Sequence, residues 1–262
     1  MSLPLNVIEE LADRLLAAQD GARTIPKLSD EHPQLSVADG YAVQQALARR
    51  WVARGDRLVG YKAGLTSRAK MLQMGIDVPS FGILTNAMAC PEGSEIAMSA
   101  LIHPKVEAEI AFVMKEPLSG PDCTMQQVID ATDFVIPAIE IIDSRYERFK
   151  FDLASVLADN SSSARYVAGG RPMSVDALDL RTIGVVTEKN GEVVAVGASA
   201  AVLNHPANAV VLLVRHLAQY EASLPAGSYV MTGSITEATA VERGDSVAAR
   251  FQNMGSISLR FV

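Results

Sequence analysis

Apolar and polar positions change period along the chain, and the change separates a helical beginning from a strand-rich remainder. Ile8, Leu11, Leu15 and Leu16 fall at helical spacing. A second helix is predicted from Ser36, whose side chain can cap it while Asp39 stands three residues on, with Tyr41, Ala48, Trp51 and Val52 as its apolar stripe and Gly55 as its stop. Pro26 to Pro33 reads as the loop between the two. A strand over 58–65 follows, then a short helix from Ser67 to Met74 that closes at Gly75. The domain boundary is placed there, giving a helical segment with one strand over 1–75 and a strand-rich domain over 76–262.

In the second part, 183–200 reads as a hairpin, because Asn190-Gly191 supplies the positive φ angles of a tight turn between two valine-rich runs. A helix is predicted from Asn204, with Pro206 in its first turn and Val210, Leu213, Leu217 and Tyr220 on its apolar face. Three short strands, over 229–231, 246–251 and 256–261, complete the chain.

Two of the strands carry acid where a core is expected. Glu107 and Glu109 alternate through Val106-Glu107-Ala108-Glu109-Ile110-Ala111-Phe112-Val113, so they share one face and Val106, Ala108, Ile110 and Phe112 the other. Lys105 has the same parity, which leaves an ordinary solvated face as an alternative. Glu140 weighs against it, since it interrupts the continuous apolar run Val135-Ile136-Pro137-Ala138-Ile139-Glu140-Ile141-Ile142, the pattern of a strand covered on both sides. Like charges about 4 Å apart repel by roughly 4 kcal/mol at an effective dielectric of 20. A hard divalent cation with oxygen ligands would offset that repulsion, and Mg²⁺ or Mn²⁺ suits such a donor set.

Composition narrows the class of protein. A chain of 262 residues that is 49% hydrophobic can bury a large core, and a formal charge of -7 with no basic block argues against nucleic acid as a partner. The 2 cysteines, Cys90 and Cys123, have no paired spacing, so neither a disulfide framework nor a zinc site is expected. No leader pattern and no run of membrane-span length is present, and a cytoplasmic location is expected.

Other candidates are weaker one by one. Lys62 shares strand parity with Gly60 and Gly64, which leaves room for a ligand, although a lysine guarding an exposed edge strand reads as well. Arg145 follows the Glu140 strand and suits a substrate carboxylate, or a salt bridge to Asp143 or Glu147. Asp159-Asn160-Ser161-Ser162 and Thr232-Gly233-Ser234 offer hydroxyls and a glycine beside anion sites. The 4 histidines show no ligand spacing and read as structural, His103 being the one that adjoins the glutamate strand.

Gly60-Tyr61-Lys62-Ala63-Gly64-Leu65-Thr66-Ser67, Lys105-Val106-Glu107-Ala108-Glu109-Ile110 and Pro137-Ala138-Ile139-Glu140 together resemble the fumarylacetoacetate hydrolase superfamily, in its hydratase and decarboxylase branch. The resemblance spans essentially the whole chain. It implies an α+β fold, a mixed β-roll with a small N-terminal helical segment. It also implies Mg²⁺ or Mn²⁺ on Glu107, Glu109 and Glu140, with Lys62 lining the substrate site. Arg145, Ser161 and Asp159 join Lys62 as expected catalytic residues, and Leu65, Asp77, Thr232 and Ser234 are expected to contact substrate.

Within the branch, residues 142–153, 158–160 and 69–75 look like decarboxylases, whereas 202–208 and 253–258 look as much like hydratases. The first group lies nearer the expected site. The expected reaction is therefore decarboxylation of 2-oxo-3-hexenedioate to 2-hydroxypenta-2,4-dienoate in meta-cleavage of aromatic compounds. The alternatives are hydration of 2-oxopent-4-enoate or 2-oxo-hept-4-ene-1,7-dioate, with Asp77 or Asp159 as acid or base, or a non-catalytic partner subunit. A carbon–carbon hydrolase would need a histidine base, for which only His103 is near. A small 2-oxo-enoate or dioate is the expected ligand, with a homo-oligomer and a complex with a related hydratase as expected assemblies.

Overall fold

The structure is a computed structural model, in which residues 2–68, 71, 72 and 75–262 are described. Half of the helix expected over 67–74 falls on the remaining positions, outside the described residues. The helical beginning forms as its pattern requires, as α1 (Leu5–Asp20), a single turn α2 (Leu28–Glu31) and α3 (Val37–Ala53). At the start of α3 the Ser36 hydroxyl accepts from the Asp39 N–H at 3.1 Å and Asp39 Oδ2 accepts from the Ser36 N–H at 3.0 Å, a reciprocal capping box. Asp39 does more than cap, because its other oxygen accepts from Ser2 Oγ and the Leu3 N–H and pins the start of the chain to α3. Two local expectations are corrected. The segment between Pro26 and Pro33 holds the turn α2, and Val52 lies on the exposed side of α3 while Tyr41, Ala48 and Trp51 are buried.

The strands are β1 (Leu58–Gly64), β2 (Ser80–Thr85), β3 (Ala89–Cys90), β4 (Glu95–Ile96), β5 (Lys105–Met114), β6 (Thr132–Ile142) and β7 (Ser163–Ala168). They continue as β8 (Gly184–Lys189), β9 (Glu192–Ala198), β10 (Tyr229–Met231), β11 (Thr239–Ala240), β12 (Ser246–Phe251) and β13 (Gly255–Phe261). Helices α4 (Met125–Ala131), α5 (Leu153–Ala158) and α6 (Ala207–Ala218) fill the gaps. The β8–β9 hairpin turns at Asn190 and Gly191, with φ of 55° and 84°, as the Asn-Gly pair requires. Helix α6 starts at Ala207 rather than Asn204, because Asn204 is left-handed, with φ 65°, and Pro206 stands immediately before the first turn.

Among the described residues one sheet has eight strands, in the order β2-β1-β10-β5-β6-β7-β3 with β11 added to β5, and the other has five, in the order β4-β13-β12-β8-β9. Both are mixed, with parallel pairs at β1–β10, β3–β7 and β13–β4 and antiparallel pairs elsewhere. The architecture is the α+β arrangement of curled sheets and few helices expected. Strand β1 pairs with β10 on one side and β2 on the other, so a boundary at residue 75 separates two strands of one sheet. What stands apart by sequence order is the run of helices before Leu58.

The large sheet is buried on both faces, and the two faces belong to different cores. Val106, Ala108, Ile110 and Phe112 of β5 point into a core shared with the five-stranded sheet and α6. Ala111, Ala138, Tyr166 and Met231 point the other way and pack with Leu11, Leu15, Leu47 and Trp51 of α1 and α3. Strand register puts Glu107 opposite Glu140, Glu109 opposite Ala138 and Lys62 opposite Met231. Successive residues alternate faces, so the acids and Lys62 extend the face that the N-terminal helices cover.

Candidate active site

The pairing of β5 with β6 brings the three carboxylates together. Each of Glu107, Glu109 and Glu140 offers an oxygen, and these oxygens lie within 4.8 Å of one another. Glu109 and Glu140 are 0% exposed and Glu107 8%. Glu109 Oε2 accepts from the Gly233 N–H at 2.7 Å, which fixes the carboxylate, while Glu109 Oε1 and Glu140 Oε1 are buried without a protein hydrogen bond. Orphaned carboxylate oxygens in a core are costly, and burial pushes the Glu109 carboxyl well above the usual range, with Glu140 raising it further and Lys62 pulling it back. Burial raises Glu140 as well, against the pull of Lys62. Octahedral Mg²⁺ at about 2.1 Å places its ligand oxygens roughly 3 to 4 Å apart. The donor set, all oxygen and all anionic, fits such a cation.

Lys62 is the fourth member. Its Nζ lies 3.0 Å from Glu140 Oε2 and donates to the Ser161 carbonyl at 3.2 Å, and the side chain is 2% exposed. Burial alone would lower this ammonium, but the three glutamates outweigh it and raise its pKa, so the charge is kept. The reading of Lys62 as an exposed edge-strand lysine is thereby overturned: β1 is an interior strand. Of the two flanking glycines, Gly64 makes the room expected, since a Cβ there would stand 3.2 Å from Lys62 Nζ and 2.8 Å from Ser80 Oγ. Gly60 serves packing instead, because a Cβ there would collide with the Tyr229 carbonyl on β10.

Of these groups Lys62 and Glu107 line a cavity of about 530 Å³. It is lined by Lys62, Gly64, Leu65, Ser80, Glu107 and Ser161, and also by Lys105, Ile142, Phe149, Lys150, Phe151 and Val156. Ser161 Oγ donates to Ser80 Oγ at 2.6 Å. Ser161 is presented by an unusual backbone, in which Asn160, Ser161 and Ser162 all have left-handed φ, at 49°, 53° and 60°. Three such residues in a row cost of order 1 kcal/mol or more each and persist only where the surroundings enforce them. Asn160 supplies one restraint, its Oδ1 accepting from the Ile83 N–H at 2.7 Å and its Nδ2 donating to the Ile83 carbonyl at 2.9 Å.

Arg145 and Asp159 supply the other restraint. The Arg145 guanidinium is buried, pairs with the Asp159 carboxylate, and donates to the backbone carbonyls of Asp143, Ser163 and Asp159. Every branch of its fork is thus taken by the protein, which places it behind the Ser161 turn and not on the cavity wall. Burial raises Asp159 to about 6 in spite of Arg145. The partner expected for Arg145, Asp143, instead accepts the N–H groups of Ile102 and His103, both at 2.8 Å.

Of the expected contact residues Leu65 lines the cavity, as does Ser161 of the expected catalytic set. Asp77 is exposed and lines a neighbouring groove with Val78, Pro79 and Tyr220, which meets the cavity at Ser80. Thr232 donates to the Ile110 carbonyl at 2.7 Å, and Ser234 donates to the Thr236 carbonyl, so both hydroxyls are spent on backbone around the Gly233 bond to Glu109. Sequence reasoning did not single out Ser80, Phe149, Lys150 or Phe151. Nothing local marks Ser80, whereas Phe149-Lys150-Phe151, just after the Glu140 strand, was a legible aromatic and basic signal.

Comparison with known proteins agrees with this geometry. A 4-oxalocrotonate decarboxylase of Pseudomonas sp. (strain CF600) is 52% identical over 252 residues, covering 96% of each chain. A 2-oxo-hept-4-ene-1,7-dioate hydratase of Escherichia coli is 40% identical over 258 residues, 96% of this chain and 97% of the other. The solved structure of 4-oxalocrotonate decarboxylase from Pseudomonas putida G7, complexed with magnesium and adipate, matches with a TM-score of 0.98 at 49% identity, over 100% of this chain and 99% of that one. The family model described as fumarylacetoacetate (FAA) hydrolase C-terminal matches residues 58–262, from the strand that bears Lys62 through all three glutamates, and the chain belongs to that family.

Proposed function

We propose that the protein is a carboxy-lyase that converts 4-oxalocrotonate (2-oxo-3-hexenedioate) to 2-hydroxypenta-2,4-dienoate and CO₂, in meta-cleavage degradation of aromatic compounds, with Mg²⁺ or Mn²⁺. The observation that carries the reading is the buried trio Glu107, Glu109 and Glu140 beside the Lys62 ammonium, with Glu107 and Lys62 lining a cavity, in a chain 52% identical to a decarboxylase of that name. A divalent cation held by the three glutamates would supply Lewis-acid polarisation of the 2-oxo group.

The residues of the chain account for the rest. In the reaction the C5–C6 bond breaks, its electron pair forms C4=C5, the C3=C4 pair moves to C2=C3, and the C2 oxygen takes the charge. Lys62 Nζ, fixed between Glu140 and the Ser161 carbonyl, is a preorganised positive charge for that oxygen and holds a proton it can give to it. Gly64 leaves the space the oxygen needs. Leu65, Ile142, Phe149, Phe151 and Val156 make most of the remaining wall apolar, which keeps water from the conjugated chain.

A hydratase is the second reading, supported by the Escherichia coli relative at 40% identity. Addition of water at the far end of the chain calls for an acid or base there. The two carboxylates proposed for that task do not line the cavity, Asp77 standing in the neighbouring groove and Asp159 paired with Arg145, which favours decarboxylation. Cytoplasmic location belongs to the same proposal; no helix among the described residues is long and apolar enough to cross a membrane. A homo-oligomer and a complex with a related hydratase belong to it too, and the exposed Val193, Val194 and Val196 of the edge strand β9 offer an apolar surface for assembly. Incubation of purified protein with 2-oxo-3-hexenedioate and Mg²⁺ or Mn²⁺ should release CO₂. Hydration of 2-hydroxypenta-2,4-dienoate without CO₂ release would move the assignment to the second reading, and no turnover of either would leave a partner subunit.

A further inference from the structure

The cavity holds two further basic residues. Lys105 and Lys150 line it together with Lys62, and among the described residues neither pairs with a carboxylate. Lys105 Nζ instead lies 4.6 Å from the centroid of the Phe149 ring, a cation–π contact. Phe149 is held in turn against His103, with ring centroids 5.1 Å apart, and its backbone and that of Arg148 are left-handed, at φ 57° and 58°. Consecutive left-handed residues without glycine are disfavoured. Here they turn Phe149 and Lys150 toward the site.

We infer that Lys105 and Lys150 receive the distal carboxylate of the substrate and make the site selective for dioates over 2-oxo monoacids. The inference rests on the six-carbon dioate reading of the site. Strand geometry sets the distance: Lys105 is two residues before Glu107 on the same face of β5, which is about 6.8 Å along the strand. From C2 to C6 a six-carbon 2-oxo dioate has four carbon–carbon bonds, about 5 Å when extended. With its 2-oxo acid head at the glutamates and Lys62, its far carboxylate therefore reaches the stretch of the cavity that Lys105 lines. Two cations for one anion also suit the balance of the wall, where Lys62 is already committed to Glu140. Because Lys150 is exposed and Lys105 half-buried, the pairing remains partly solvated and acts on binding, with little hold on the carboxylate as it leaves.

The test separates this selectivity from the reaction by using two unreactive ligands that differ only at C6, 2-oxoadipate and 2-oxohexanoate. Calorimetric titration of the Mg²⁺-loaded protein should show tighter binding of 2-oxoadipate. In Lys105→Met, and again in Lys150→Met at the exposed position, that affinity should fall several-fold, and in the double variant by about tenfold, with 2-oxohexanoate unaffected. With 2-oxo-3-hexenedioate, KM should rise while kcat stays within about twofold. Persistence of the dioate preference in the double variant, or equal loss for both ligands, would overturn the inference. A protein that hydrates rather than decarboxylates would still be scored by the same titrations, so failure of the reaction assignment and failure of the receiver are told apart.

Discussion

Replacing Glu109 with Gln should separate the cost of the acidic trio from its use. In the metal-free protein two like charges within 4.8 Å of each other repel by at least about 3.5 kcal/mol at an effective dielectric of 20. Glu109 belongs to two such pairs, so full ionisation would cost about 7 kcal/mol before the attraction of Lys62 is counted. Burial and its neighbours push the Glu109 carboxyl well up, which in the absence of a cation favours its protonated form. Glutamine has the shape of that protonated acid, and its Oε1 can still accept the Gly233 N–H. The metal-free variant is therefore expected to match the stability of the metal-free parent within about 1 kcal/mol. With Mg²⁺ a hundredfold above its Kd, the parent should gain about 2.7 kcal/mol, and Glu109→Gln should gain nothing at the same concentration. Urea denaturation of both proteins, with Mg²⁺ and with chelator, measures all four values. A Mg²⁺-dependent gain that survives in the variant, or a parent that gains none, would refute the assignment of the trio as a cation site.

Asn160→Ala removes both hydrogen bonds to Ile83 and leaves a Cβ residue less suited to φ 49°. Two buried hydrogen bonds and the conformational penalty together should cost about 3 kcal/mol in urea unfolding; kcat should fall as well, because Ser161 loses its presentation, and a loss below about 1 kcal/mol would show that the left-handed turn is held elsewhere. His216 packs among Tyr41, Phe81 and Tyr220 with centroid distances of 4.4, 5.1 and 5.3 Å, and burial lowers its pKa to about 4. The folded state keeps this imidazole neutral while the unfolded chain takes up a proton near the ordinary histidine value of 6.5, so stability should decline as pH falls from 6.5 toward 4. In His216→Phe the decline over that interval should be shallower; an identical urea-midpoint profile for the two proteins would place the titrating group elsewhere.

Local order and the chemistry of the acids were legible in the residues themselves. Ser36 with Asp39, Asn190 with Gly191, and the two-residue alternation around Glu107 and Glu109 act over a few residues, and each states its own geometry. A carboxylate in the middle of a doubly covered strand was likewise informative, because a core admits a charge only with a partner. What the chain order does not contain is which strands become neighbours. Only the register of β5 on β6 sets Glu107 against Glu140, and only the insertion of β1 between β2 and β10 turns Lys62 from an edge lysine into a buried ion-pair partner. The same long-range pairing commits Arg145 to Asp159 and turns a plausible substrate fork into a rivet behind Ser161. A side chain's polarity is fixed by its own atoms, whereas its burial and its counter-ion depend on contacts far apart in the sequence, and it is these that decide whether a charge binds a ligand or the protein.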